Sequence, residues 1–249
     1  MAAEWEVYES RVQEAQATIR VDMSAHDDHG DGRGYCLRVT VQLREPGADG
    51  TGVEAEAEPL SKLEARLAAI LSERSEAVGV GWITTRGRRE LLFYATHPGD
   101  LQEGVDAVRA EFPGYKLSAG LENDPSWSRY RQALYPRARD LIRIQNRRRV
   151  EELGAKGDKP EKKRRLSHWL YFPTAEDRKA FLGEVQPEGF KSTAQRVKGD
   201  ETDERPIALQ ITREDALELE GLDELTLDLW DRAQAYDGEY GGWEAQPAK

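Results

Sequence analysis

The chain has 249 residues and a formal net charge of −11 at pH 7, with 38% hydrophobic and 33% charged residues. Its length exceeds the roughly 100–200 residues of a usual single domain, so two domains are expected. The 5 Phe, 6 Trp and 9 Tyr exclude a disordered chain, and the single cysteine, Cys36, excludes an intramolecular disulfide and a thiolate metal cage. Nowhere does an apolar run approach the roughly 20 residues that span a bilayer, which favours a cytoplasmic protein without membrane contact.

The first half of the chain predicts the element order of a split βαβ unit behind two extra strands. Alternating or β-rich runs predict six strands, at residues 5–12, 17–23, 35–43, 78–85, 90–96 and 115–121. Leucines and valines at helical spacing predict helices over residues 60–71 and 101–112. Residues 45–58, rich in Gly, Pro and acid, predict a loop, and residues 86–88 predict a hairpin turn.

The second half repeats the order β-α-β-β-α. Helices are predicted over residues 138–153, 175–185 and 222–236, and strands over residues 166–172, 190–197 and 207–211. Residues 212–221 fit a capped helix start and a strand equally well, and a tail strand around Trp243 would complete the pattern. The predicted fold is α+β, with two ferredoxin-like (βαββαβ-type) sandwich domains, 1–136 and 137–249, the first carrying extra N-terminal strands.

No catalytic constellation is visible. The densest polar cluster, residues 26–32, could ligate a metal through its imidazoles and carboxylates, but the acid that a calcium loop requires is replaced by Arg38. An exposed turn is the better interpretation, and a metal-dependent activity using His26, Asp28 or His29 stays an alternative. His168 has no accompanying nucleophile elbow or second metal-binding histidine. We therefore predict no catalytic residue, no cofactor and no metal.

A basic segment precedes the strand at 166–172. Residues 137–165 contain twelve Lys or Arg against five Asp or Glu, and such clusters contact phosphates in nucleic-acid-binding proteins. A solvated basic linker fits the same charges, and the ribonucleoprotein signature of RNA-binding sheets is absent. RNA binding is kept as an alternative function, and its candidate contacts are Arg147, Arg148, Arg149, Lys162, Lys163 and Arg164.

Two aromatic motifs in the second half carry a family resemblance. They read His168-Trp169-Leu170-Tyr171-Phe172-Pro173 and Gly238-Glu239-Tyr240-Gly241-Gly242-Trp243-Glu244, and they accompany Asn146, Leu153, Gly154 and Phe190. This part of the chain, residues 140–244, resembles the family of regulator of ribonuclease E activity B. The family usually reads Gly-Gly-Glu-Tyr-Asp-Gly-Trp-Glu at the second motif, where this chain has Asp237 and Gly241.

The first half resembles a bacterial domain family of unknown function. The matching residues stand at its two ends: Trp5, Tyr8, Asp124, Pro125, Trp127, Tyr130, Leu134, Tyr135 and Pro136. This resemblance implies a domain boundary near Pro136 and implies no activity.

The resemblance of the second half implies a non-enzymatic bacterial regulator that binds a protein partner. That partner would be ribonuclease E or its degradation assembly, and binding would restrain RNA cleavage. The partner-binding candidates are the motif residues His168, Trp169, Tyr171, Phe172, Tyr240, Trp243 and Glu244.

Overall fold

The computed structural model describes residues 3–26, 32–197 and 204–248. The chain forms two compact units, Met1–Asp140 and Leu141–Lys249, so the division lies four residues beyond the boundary expected at 136. Each unit combines one antiparallel sheet with helices, which confirms the α+β prediction. Among the described residues, none of the helices is long and apolar enough to cross a membrane.

The first unit is built on a six-stranded sheet with the order β1-β2-β4-β5-β3-β6. Its strands are β1 (Trp5–Val12), β2 (Ala15–Asp22), β3 (Tyr35–Gln42), β4 (Val78–Thr85), β5 (Arg88–Ala95) and β6 (Lys116–Asn123). The helices α1 (Glu54–Ser75) and α2 (Leu101–Glu111) pack on one face. Their leucines and valines share a core with inward-facing residues of the sheet, including Leu37, Val39 and Phe93.

The hairpin between β4 and β5 turns on two residues. Arg86 and Gly87 both adopt positive φ angles, 51° and 73°, as a type I′ turn requires. Arg88, predicted as a turn residue, instead pairs with Thr85 and Gln42 in the sheet. The strand β5 therefore starts two residues earlier than its sequence pattern suggested.

The prediction of a loop over residues 45–58 was wrong at its end, because α1 begins at Glu54. Glu56, in the first turn, is buried and accepts hydrogen bonds from the backbone N–H groups of Arg44 (2.9 Å) and Glu45 (3.3 Å). Burial alone would raise the pKa of Glu56, yet these hydrogen bonds hold it below its usual value. This anchor fixes the first turn even though Pro59 lies inside the helix and cannot donate its backbone hydrogen bond.

The second unit contains a four-stranded sheet with the order β10-β7-β9-β8. Its strands are β7 (Arg164–Phe172), β8 (Lys191–Val197), β9 (Ile207–Asp215) and β10 (Glu239–Ala245), and its helices are α3 (Ala138–Ala155), α4 (Ala175–Val185) and α5 (Leu219–Gln234). The helix α4 starts where predicted because Thr174 accepts a hydrogen bond from the backbone N–H of Asp177 (3.1 Å).

The ambiguous segment 212–221 is divided between two elements. The strand β9 continues to Asp215 in register with β7, and α5 begins at Leu219. Leu217 lies between them with its side chain buried, in a cluster with Leu153, Leu166, Leu222 and Trp243. The tail strand β10 pairs with β7, as the sequence predicted around Trp243.

Candidate protein-binding surface

The strand β7 separates the first aromatic motif into two sets of side chains. Successive residues of a strand point to opposite faces. Leu166, His168, Leu170 and Phe172 are buried against the helices, whereas Ser167, Trp169 and Tyr171 are half-buried on the other face and Arg165 there is exposed. The motif is therefore half core and half surface.

His168 is a core residue. Its side chain is fully buried, its Nδ1 shares a 2.8 Å hydrogen bond with the hydroxyl of Tyr240, and its ring meets Phe190 edge-on at 5.9 Å. Burial lowers the pKa of His168 to about 4 and raises the pKa of Tyr240 above its ordinary value. His168 is thus neutral near pH 7, and Nε2 has no hydrogen-bond partner among the described residues.

Trp243 belongs to a buried polar network. Its Nε1–H donates to Asn146 Oδ1 (2.7 Å), and Asn146 Nδ2 donates to Asp223 Oδ1 (2.7 Å) and Thr226 Oγ1 (2.8 Å). The network connects β10 to α3 and α5. Two of the residues that carried the family resemblance, Asn146 and Trp243, are therefore partners in the interior, although they are 97 residues apart in sequence.

The opposite side of the sheet presents Arg165, Ser167, Trp169, Tyr171, Gln210 and Glu244; we call this set the outer face. Gln210 stands opposite Trp169 on β9, accepts from Thr193 Oγ1 (2.8 Å) and donates to Glu244 Oε1 (3.3 Å). Two half-buried aromatic rings thus lie among polar groups on the outer face.

Gly241 determines where the ring of Tyr171 lies. The register of β10 against β7 shifts between Tyr240 and Gly242, and a Cβ atom at Gly241 would lie 2.6 Å from Cε2 of Tyr171. This is the position where the resembling family usually carries Asp. The ring of Tyr171 therefore lies directly beside the backbone of Gly241, in space that a side chain at this position would occupy.

The structure separates the seven partner-binding candidates. His168, Phe172 and Trp243 are buried and cannot contact a partner while the unit is folded, because their side chains fill the core. Tyr240 is half-buried with its hydroxyl bound to His168. Trp169, Tyr171 and Glu244 remain as partner-binding candidates. Gln210 and Arg165 were not among the residues predicted from the sequence, and the alternation of β7 and β9 places them beside these three.

The basic candidates are not equivalent. Arg164 is buried, forms an ion pair with Asp158 and donates from Nε to the carbonyl of Lys162 (3.0 Å), so its role is structural. The guanidinium of Arg149 lies 5.7 Å from the ring centroid of Trp243. Arg147 pairs with Glu151 at 4.0 Å, and the remaining candidates, Arg148, Lys162 and Lys163, are exposed.

The polar cluster kept as an alternative metal site lies mainly outside the described residues, which leave out Asp28 and His29 with the rest of 27–31. His26 is described, and its ring stacks on Tyr135 with the centroids 3.9 Å apart. In the described part of the chain no three His, Cys, Asp or Glu side chains come together as a metal site. Cys36 is fully buried, and burial raises the pKa of its thiol to about 12.

The aromatic residues that mark the two ends of the first unit hold those ends together. The Tyr8 hydroxyl donates to the carbonyl of Leu134 (2.8 Å), and the Tyr130 hydroxyl donates to the carbonyl of Asp22 (2.7 Å). Asp124 accepts from the Tyr94 hydroxyl at 2.7 Å, and Tyr94 stacks on Trp127 at 4.1 Å. These contacts give the residues that carried the resemblance of the first half a structural role.

Fold and surface together define a two-unit α+β protein with an aromatic outer face on its second unit. The chain belongs to the family of unknown function DUF695, whose family model matches residues 3–135, more than half of its length. Residues 143–245 match the family model described as Regulator of ribonuclease activity B. Both resemblances predicted from the sequence are confirmed, and the second unit is thereby similar to a regulatory family.

Two solved structures are distantly similar to the chain. A candidate glycine cleavage system transcriptional repressor is 7% identical, with a TM-score of 0.23, over 85% of this chain and 98% of its own. An unknown protein from Galdieria sulphuraria is 7% identical, with a TM-score of 0.22, over 87% of this chain and 99% of its own. Scores this low support no inference about fold or function. No curated protein matches the chain.

Proposed function

We propose that the second unit binds an endoribonuclease, ribonuclease E or its degradation assembly, through the outer face, and restrains RNA cleavage without chemistry of its own. The match of residues 143–245 to Regulator of ribonuclease activity B carries this proposal. The outer face supports it, because Trp and Tyr are enriched among the residues that dominate binding energy in protein interfaces. Trp169 and Tyr171 are the proposed anchors, and Glu244 and Gln210 would form the polar rim.

For the fold, we propose that each unit is a ferredoxin-like sandwich, with β1 and β2 added to the first. The strand orders β6-β3-β5-β4 and β10-β7-β9-β8 support this proposal, since both place the first strand of the split βαβ unit beside the last and beside the third. The proposed domains are residues 1–136 and 137–249.

The experiment compares Trp169→Ala and Tyr171→Ala with the parent chain in binding to purified ribonuclease E and in inhibition of its RNA cleavage. Loss of an aromatic anchor at an interface costs about 2 kcal/mol or more, so each variant should bind about 30-fold more weakly. Trp230→Ala is the matched control, because Trp230 is a half-buried tryptophan on α5 rather than on the sheet. Thermal unfolding of each variant checks that it folds.

Two results would contradict the proposal. The first is parental affinity and inhibition by both folded outer-face variants, which would remove the outer face as the interface. The second is the absence of any complex with ribonuclease E together with tight, salt-dependent binding of single-stranded RNA, which would favour the exposed basic residues instead.

A further inference from the structure

The hairpin of β1 and β2 extends the first sheet beyond the strands that α1 and α2 cover. Val7 pairs with Arg20, Arg20 pairs with Trp82, and Trp82 packs against the core beneath the helices, so these three side chains share the helix-side face. Trp5 lies two residues before Val7 and points the same way. Trp5 is 41% exposed and Val7 is 45% exposed. A step therefore forms between the side of α1 and the open hairpin, whose helix-side face α1 and α2 do not cover.

A cleft of about 230 Å³ occupies this step. Its wall on the α1 side is low because Ala65 and Ala68 face it with single methyl groups. Its aromatic and cationic lining comes from Trp5, Arg20, Trp82 and Phe93. The cleft is thus mainly apolar, as small-molecule sites usually are, with few charged groups.

Gly79 of β4 keeps the floor of the cleft free of a side chain, and Gly81 forms a bulge beside it. A Cβ atom at Gly79 would lie 3.1 Å from the ring of Phe93, which is closer than ordinary contact. Gly81 follows at a bulge with φ of +143°, and a Cβ atom there would lie 2.1 Å from the carbonyl oxygen of Arg20. Only glycine fits the backbone conformation at Gly81, so the bulge depends on Gly81, and the open floor depends on Gly79.

Among the described charged side chains in and beside the cleft, one cation has no carboxylate partner. Arg89 lies over the ring of Trp82 at 3.8 Å and forms an ion pair with Glu64, so that pair is neutral. Arg20 lies over the ring of Trp5 at 4.1 Å and has no carboxylate partner among the described residues. The acid two residues further on, Asp22, accepts hydrogen bonds from the backbone of Glu4 and Ser24.

We propose that this cleft binds a small carboxylate with an aromatic or branched aliphatic body. An apolar cavity of about 150 Å³ holds one benzene ring, so 230 Å³ accommodates a ring with a short side chain. The body packs between Trp5, Trp82 and the alanines of α1. Stacking on Trp5 leaves the edge of the Arg20 guanidinium open to donate two parallel hydrogen bonds to the carboxylate.

The test titrates the full chain with 3-phenylpropionate and with its neutral isostere, 3-phenylpropionamide, by isothermal titration calorimetry. The carboxylate should bind about tenfold more tightly, because a hydrogen bond to a charged group contributes roughly one power of ten in affinity. Arg20→Gln should remove this preference while the amide still binds. Ala68→Leu, at an exposed position of α1, should weaken both ligands by filling the cleft. Arg38→Gln is the matched control, because Arg38 lies on the other face of the sheet and should leave both affinities unchanged.

Equal affinity of the parent chain for the two ligands would overturn the role of Arg20. So would a preference for the carboxylate that persists in Arg20→Gln. Failure of both ligands to saturate the parent chain, or unchanged binding in Ala68→Leu, would overturn the site itself. Quenching of tryptophan fluorescence gives an independent reading, since two of the six tryptophans line the cleft.

Discussion

Asn146→Ala removes a buried side chain that connects α3, α5 and β10. Its three hydrogen bonds, to Trp243, Asp223 and Thr226, are 2.7 to 2.8 Å long. A typical hydrogen bond contributes about 1 kcal/mol net, and a buried donor left without an acceptor costs about 1 to 3 kcal/mol. Thr226 keeps its hydrogen bond to the carbonyl of Leu222. Most of the lost stability therefore comes from the Nε1–H of Trp243, which is left buried without an acceptor. We expect a loss of about 3 kcal/mol in the free energy of unfolding of the second unit.

The assay must resolve the second unit from the first, since both contain tryptophans. Hydrogen exchange measured by mass spectrometry does so, because peptides from β10 and α3 report the second unit separately. Gln145→Ala is the matched control. Gln145 is the exposed neighbour of Asn146 on the same helix, and its variant should stay within about 0.5 kcal/mol of the parent.

A loss below about 1 kcal/mol in Asn146→Ala, relative to Gln145→Ala, would refute the reasoning. It would mean that water replaces the amide and satisfies Trp243, and that the network does not hold the three elements together.

Three further predictions concern buried groups. Because the pKa of His168 is lowered from 6.5 to about 4, the stability it contributes should be complete above pH 6.5 and fall by about 3 kcal/mol as the pH drops to 4; urea unfolding of His168→Gln should lack this decline. The raised pKa and burial of Cys36 should prevent its reaction with a disulfide reagent at pH 8 until urea unfolds the first unit. Gly238→Ala should lower stability by about 2 kcal/mol in calorimetry, because its Cβ would lie 2.6 Å from the ring of Phe172. Gly221→Ala, whose Cβ meets nothing within 4 Å, should not.

Local pattern was enough to predict most elements. The helix α4 was predicted with its observed bounds, since a threonine cap and a following Pro and Gly mark both ends. The start of α1 was not predictable, because Glu56 is fixed by the backbone of Arg44 and Glu45, and such tertiary contacts leave no periodic signal. The end of β9 was ambiguous for the same reason, since its register with β7 decides it.

The candidate surface was only partly predictable. Alternation along β7 separates residues 168, 170 and 172 from residues 169 and 171, but both sets contain aromatic side chains, so the sequence alone does not tell which set faces the helices. Arg164 looked like part of a basic run, and its pairing with Asp158 appears only once the loop between α3 and β7 is placed. The cleft beside α1 depends on where β1 and β2 join the sheet, which the sequence pattern did not specify.

Because β7 presents one set of side chains to the core and another to the outer face, the two sets can be substituted separately in evolution and in laboratory selection. The core and the outer face use the same strand but different side chains, so substitutions at positions 165, 167, 169 and 171 need not disturb the packing of 166, 168, 170 and 172. A library varied at those four outer positions should therefore yield mostly folded proteins. In such a library, partner choice is free to diverge while the stability of the unit is retained.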